Sequence, residues 1–194
     1  MNLARFSFLA LLSLAAAPVA AQIFTIPPGA YRTAAAYHRR QPQIPGVDAT
    51  YPDKRGNVVV VVPRGSQSTK LRVSPDSVWG YVSEKGRTFR IYRGDEFRLE
   101  HADTLCVYTR QASITSTGLR PSVSGQQSYY FSLGLNGLIF PLTVTYLREL
   151  FTASNPAFVA ALSEMKFGQS LADLDRHTGL FRVNTLYRES LKGH

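Results

Sequence analysis

The sequence predicts an α+β fold: an antiparallel β-meander, or a small partly open barrel, followed by short C-terminal helices. Three observations predict it. Between residues 57 and 110 apolar and polar side chains alternate in short runs broken by Gly, Pro, Asp and Ser, as in strands joined by tight turns. Beyond Pro141 the apolar spacing becomes helical, with segments too short to stand alone. The chain has 194 residues, 44% of them hydrophobic and only 18% charged, which suits a packed core in one domain and not a disordered polymer.

Residues 1–21 read as a secretory signal peptide. Arg5 gives a positive start, Phe6 to Ala17 an apolar run, and Val19-Ala20-Ala21 a small-residue cleavage site before Gln22. The run is too short, and wrongly flanked, for a stable membrane span. Export to the periplasm or the extracellular space is expected, with residues 22–194 forming one domain.

Residues 22–56 read as an N-terminal arm. Pro27-Pro28-Gly29 and Pro42, Pro45 and Gly46 punctuate it, and Thr33 is placed to cap one short helix over Thr33–Arg40. Residues 57–141 read as the meander. Val58 to Val62 predict a strand buried on both faces. Pro63-Arg64-Gly65-Ser66 turns the chain, and Thr69 to Val73 returns with Leu71 and Val73 on one side. Val78–Val82, Arg87–Arg93, the run with Phe97 and Leu99, and Leu105–Tyr108 follow, joined by turns at Lys85-Gly86, Gly94-Asp95 and Asp103. Gln111 to Gln127 reads as a long surface loop, and Asn136-Gly137 as the turn of a last hairpin.

Residues 142–194 predict helices packed on the sheet. Thr143 caps a first helix carrying Leu147, Leu150 and Phe151. Asn155-Pro156 opens a second with Phe158, Val159, Leu162 and Met165, which Gly168 ends. Ser170 and Asp173 suggest a capping box for a third that Gly179 stops, and Val183, Leu186, Tyr187 and Leu191 a last amphipathic segment.

The ordered set Gly29-Ala30-Tyr31-Arg32-Thr33, Val78-Trp79-Gly80-Tyr81, Arg87-Thr88-Phe89-Arg90-Ile91-Tyr92, Tyr129-Tyr130-Phe131-Ser132, Pro141-Leu142-Thr143 and Val183-Asn184 resembles a group of uncharacterised exported proteins of Bacteroidota. The resemblance covers most of the chain after the leader. It implies compartment and architecture, and it transfers no activity and no site residue.

Several motifs have plain structural readings. Asp173, Asp175 and His177 form D-x-D-x-H, which helix-end electrostatics explain without a metal. Arg93-Gly94-Asp95 fits a two-strand turn. Cys106, the sole cysteine, reads as a half-buried apolar residue and permits no intramolecular disulfide. No nucleophile elbow, zinc-protease motif or phosphate-binding loop occurs, and no metal or other cofactor is expected. Glu84, Asp95, Glu96, Glu100 and Asp103 fall in or beside turns.

The net charge is +9, one unit of which is the leader's Arg5. Such a charge favours anionic partners. Export argues against nucleic acid and leaves an anionic glycan or another envelope component. If Phe89, Ile91, Phe97, Leu99, Leu105 and Val107 face the core, alternation sends Arg90, Tyr92, Arg98, Cys106 and Tyr108 to the other side, and Trp79 and Tyr81 share a face of their own strand. A ligand face of Trp79, Tyr81, Arg90, Tyr92 and Tyr108 would stack on sugar rings and pair with anions. The alternative is that the C-terminal helices cover it. The functional expectation is a non-catalytic binding or structural module of the cell envelope. The runner-up is an envelope hydrolase using spatially paired carboxylates.

Overall fold

The structure, a computed structural model, describes residues 25–47, 49–111 and 127–192. The expected signal peptide, its cleavage before Gln22 and nearly all of the loop after Gln111 lie outside the described residues. The chain is α+β, built from antiparallel sheets and four short helices among those residues.

The largest sheet among the described residues has eight strands and is not closed. Its meander is β6 (Gly80–Val82), β7 (Thr88–Tyr92), β8 (Asp95–His101), β9 (Leu105–Gln111), β10 (Gln127–Leu133) and β11 (Phe140–Pro141). The N-terminal arm completes it. β1 (Gly29–Tyr31) pairs with β6, and β2 (Ile44–Pro45) lies outside β1. Both edge strands are two residues long and end in proline, which lacks the N–H that an added strand would need. Between β1 and β2 runs α1 (Ala34–His38), where the Thr33 hydroxyl accepts the Ala36 N–H as its sequence suggests.

The valine run does not belong to this sheet. β4 (Val58–Arg64) sits between β3 (Ala49–Pro52) and β5 (Gln67–Val73) in a separate three-stranded sheet. Val58 and Val60 are buried with Ala30, Val78, Tyr81 and Ile91, while burial fades towards the turn at Gly65-Ser66. The expectation of burial on both faces therefore holds only for the first half of the run.

The phase of alternation also differs from the sequence reading. Arg93 and Gly94 both take positive φ, 53° and 80°, in a two-residue turn that pairs Tyr92 with Asp95 and Arg90 with Phe97. Even-numbered residues of β7 therefore share a face with odd-numbered residues of β8, and Leu99 stands opposite Tyr108. Phe97 and Leu99 lie beside Arg90, not across the sheet from it. Alternation breaks again at Gly80: Trp79 and Val82 join one cluster, Val78 and Tyr81 the other. A Cβ on Gly80 would lie 2.1 Å from the Phe89 carbonyl oxygen. Gly80→Ala is expected to cost about 1–3 kcal/mol in urea unfolding, the range for overpacking. An unchanged midpoint would show that the β6–β7 approach is not tight.

Three clusters fill the core. The face of Phe97, Cys106 and Tyr108 is covered by α1, Trp79 and the Leu135–Ile139 connection. On the reverse face, Leu105, Val107 and Phe131 lie under α2 (Val144–Phe151), α3 (Pro156–Ser163) and α4 (Arg182–Ser190), while Ile91 and Phe89 lie under the valine sheet. Thr143 and Asn155 cap α2 and α3 as expected. The helix expected between Ser170 and Gly179 does not form. The Ser170 N–H donates to Asp173 in a closed turn, and the chain runs on as a hairpin of β12 (Leu174–Asp175) and β13 (Leu180–Phe181). Leu174 is exposed there, so this stretch has no second apolar row to dock a helix. No helix of the described residues is long and apolar enough to cross a membrane.

Candidate functional site

The five residues expected to form a ligand face do not form one. Tyr108 is fully buried, Trp79, Tyr81 and Arg90 are at most 8% exposed, and Tyr92 is half-buried. Arg90, Tyr92, Tyr108 and Trp79 lie on one side of the sheet and Tyr81 on the other. The N-terminal arm and the Leu135–Ile139 connection cover the first side and the valine sheet covers Tyr81, while the C-terminal helices pack elsewhere. Tyr37 of α1 packs on Trp79 at 4.8 Å between ring centroids and shares a 3.1 Å hydrogen bond with Thr88. Trp79 Nε1 donates to the Leu135 carbonyl at 2.9 Å.

Arg90 lies over the rings of Tyr92 and Tyr108, 5.3 and 6.0 Å from their centroids, and donates one 3.4 Å hydrogen bond to the Tyr108 hydroxyl. Its Nε has no hydrogen-bond partner, and among the described residues it has no ion pair. The tyrosine π-faces are its electrostatic environment. Burial pushes the Tyr108 hydroxyl up to about 12, against the lowering influence of Ser132 and Arg90.

The carboxylates of the meander serve as tethers. Glu96 accepts from Tyr81 and Thr50, both at 2.9 Å, joining the two sheets. Asp95 pairs with Arg110 at 2.7 Å, Glu100 with Arg98 at 3.3 Å, and Asp103 with Arg188 at 2.7 Å, which ties α4 to the sheet. Burial raises the Asp103 carboxyl, but the Thr104 N–H and Arg188 outweigh it and hold it below the usual range. Asp173 pairs with Arg182, and Asp175 accepts from the His177 N–H and the Thr178 hydroxyl. Asp173, Asp175 and His177 thus share no helix face, and the described residues contain no cluster of three metal-ligating side chains.

A local excess of positive charge sits elsewhere, on the valine sheet and its turns. Residues 49–73 carry Lys54, Arg55, Arg64, Lys70 and Arg72 against the single carboxylate of Asp53. All five cations are exposed. Register places Tyr51, Val59 and Arg72 side by side across the three strands, with Ala49, Val61 and Lys70 in the next row of the same outer face. Tyr51 is 42% exposed, and the Lys70 ammonium lies 5.9 Å from its ring centroid. Arg72 opens onto a cleft of about 310 Å³ lined also by Asp53, Lys54, Arg55 and Asn57.

Asp53 offsets one of these five charges and organises the β3–β4 turn. Its carboxylate accepts the Arg55 and Asn57 N–H groups at 2.8 and 2.9 Å and the Asn57 amide at 3.1 Å, while Arg72 stands 3.7 Å away. The Asn57 side chain first, and these N–H groups after it, hold the Asp53 carboxyl below its ordinary range. The outer face keeps surplus positive charge around an aromatic ring, the composition that the sequence reading had assigned to the other sheet. Its signal in the sequence was the run of cations at 54, 55, 64, 70 and 72, which the five valines between them overshadow.

Comparison with protein-family models, curated proteins and solved structures finds no match to this chain.

Proposed function

We propose that the protein is an exported, non-catalytic binding module of the cell envelope that takes an anionic partner on the outer face of the β3–β5 sheet. The observation that carries this reading is the excess of five exposed cations over one carboxylate between residues 49 and 73, with Arg72 in the same row of the outer face as Tyr51 and Lys70 in the row beside it. Opposite charges at such a surface attract over roughly a Debye length, about 8 Å at physiological salt, so the surface collects anions before contact. An anionic glycan satisfies both elements, with acid groups on Lys70 and Arg72 and a sugar face beside Tyr51.

Binding of the purified protein to polygalacturonate, with neutral dextran as control, tests it. The wild type is expected to bind polygalacturonate alone and to release it as salt rises towards 1 M, where the Debye length falls to about 3 Å. Lys70→Glu with Arg72→Glu is expected to weaken binding at least tenfold; because Arg72→Glu sets a second carboxylate beside Asp53, thermal unfolding of the double variant is measured alongside. Equal retention of the reversed variant would move the anion site off this sheet.

A further inference from the structure

We propose that the anionic partner is an acidic, extended polypeptide segment that adds to β5 as a fourth strand. This rests on the reading that the β3–β5 sheet takes an anionic partner, and it names the class of that partner. The fold treats its sheet edges unequally. Both edges of the eight-stranded sheet are two residues long and end in proline, and β3, the other edge of the valine sheet, ends at Pro52. β5 has seven residues, Gln67–Val73, and no proline. It is exposed except at half-buried Thr69 and Val73, and among the described residues nothing pairs with its outer side.

The backbone of β5 is left open at defined positions. A two-residue turn joins β4 to β5, so Arg64 and Gln67 form the narrow hydrogen-bonded pair beside it. Alternation then turns Gln67, Thr69, Leu71 and Val73 towards β4. The N–H and C=O groups of Ser68, Lys70 and Arg72 point away from it. An edge of this length is a template for another strand, and lysine on such an edge selects which strand. A residue placed opposite Lys70 or Arg72 lies about 4.5–5.5 Å away between Cβ atoms, where a carboxylate is favoured and a like charge is not. A second copy of this chain, paired antiparallel about the middle of β5, sets Lys70 against Lys70. A segment with glutamate or aspartate at alternate positions meets both cations and satisfies the open backbone. A polysaccharide meets the cations and the Tyr51 ring but leaves the backbone of β5 unpaired.

Binding of a peptide of about nine residues, alternating glutamate with valine or threonine, is measured beside the same peptide N-methylated at every second amide. N-methylation keeps every charge, removes the N–H donors of one edge and sets methyl groups against a neighbouring strand there. The unmodified peptide is expected to bind, and the methylated one at least tenfold more weakly. Ser68→Pro, which keeps all five cations but removes one outward N–H, is expected to weaken peptide binding about tenfold and to leave polygalacturonate retention unchanged. Equal binding of the two peptides overturns the strand-addition inference, as does a Ser68→Pro protein of wild-type stability that binds peptide normally. Retention of polygalacturonate with no peptide binding makes the partner a glycan and overturns it too. Failure of both polyanions would reject the anionic-partner reading itself.

Discussion

Phe158→Ala is expected to destabilise the protein by about 3–5 kcal/mol, the range for deleting a buried phenylalanine and leaving its cavity. Phe158 is fully buried at the meeting point of the three C-terminal helices. Its ring stands edge-on to Phe151 of α2 at 5.1 Å and to Tyr187 of α4 at 5.3 Å, so truncation unseats all three helices together. α2 and α3 have eight residues each and α4 has nine, lengths that are marginal in isolation. Their stability comes from the apolar faces they press onto Leu105, Val107 and Phe131. Denaturant unfolding monitored by circular dichroism and by fluorescence checks this. The variant should shift both transitions to lower denaturant by the same amount, since a shared core melts as a unit. Leu174→Ala, at an exposed hairpin position, is the control and should stay within about 0.5 kcal/mol of wild type. A loss below about 1 kcal/mol at Phe158 would mean that the helices do not draw their stability from this contact.

The sequence makes these helices legible because their signals are local. Thr143, Asn155 and Pro156 act within one turn of the residues they cap, and Phe158 and Leu162 fall on one face by spacing alone. Strand existence in the meander was legible for the same reason. Strand phase was not, because it depends on the turn. The register through Arg93-Gly94 moves Phe97 and Leu99 to the side of Arg90, and Gly80 separates Trp79 from Tyr81. Two such shifts turn an expected open aromatic and basic face into a core. The helix expected at Ser170 failed because a capping-box pattern also closes a simple turn, and only docking decides between them. The cationic valine sheet was hidden for a different reason. Five consecutive valines look alike on both faces, so alternation carries no information until the partner strands bring Tyr51, Lys70 and Arg72 into one row or the next.

Stability is expected to fall steeply between pH 10 and 12, because four tyrosines are held neutral by the fold. Burial raises Tyr31, Tyr37, Tyr81 and Tyr108 above the ordinary value of 10.0. Tyr81 is raised further by the Glu96 carboxylate that accepts its hydroxyl, since a tyrosinate there would face a second negative charge. In the unfolded chain each of them ionises near pH 10. The stabilisation is therefore complete below that pH and is lost as pH rises through the folded-state values. For Tyr108, moved from 10.0 to about 12, the loss is about 2–3 kcal/mol across that window. Denaturant unfolding at unit pH steps, read beside tyrosinate absorbance near 295 nm, checks both quantities. Tyr31, Tyr37, Tyr81 and Tyr108 should ionise only as the fold is lost. Tyr108→Phe and Tyr81→Phe should each be less stable than wild type at pH 8. One strands the Arg90 donor and removes the hydroxyl paired with Ser132, and the other removes the hydroxyl bound to Glu96. Each should also flatten the alkaline slope, so the curves of wild type and variant converge as pH rises. Ionisation of Tyr108 and Tyr81 near pH 10 in a protein that stays folded would contradict this account: it would mean that their hydroxyls reach water, and that the faces beneath α1 and beneath the valine sheet are open after all.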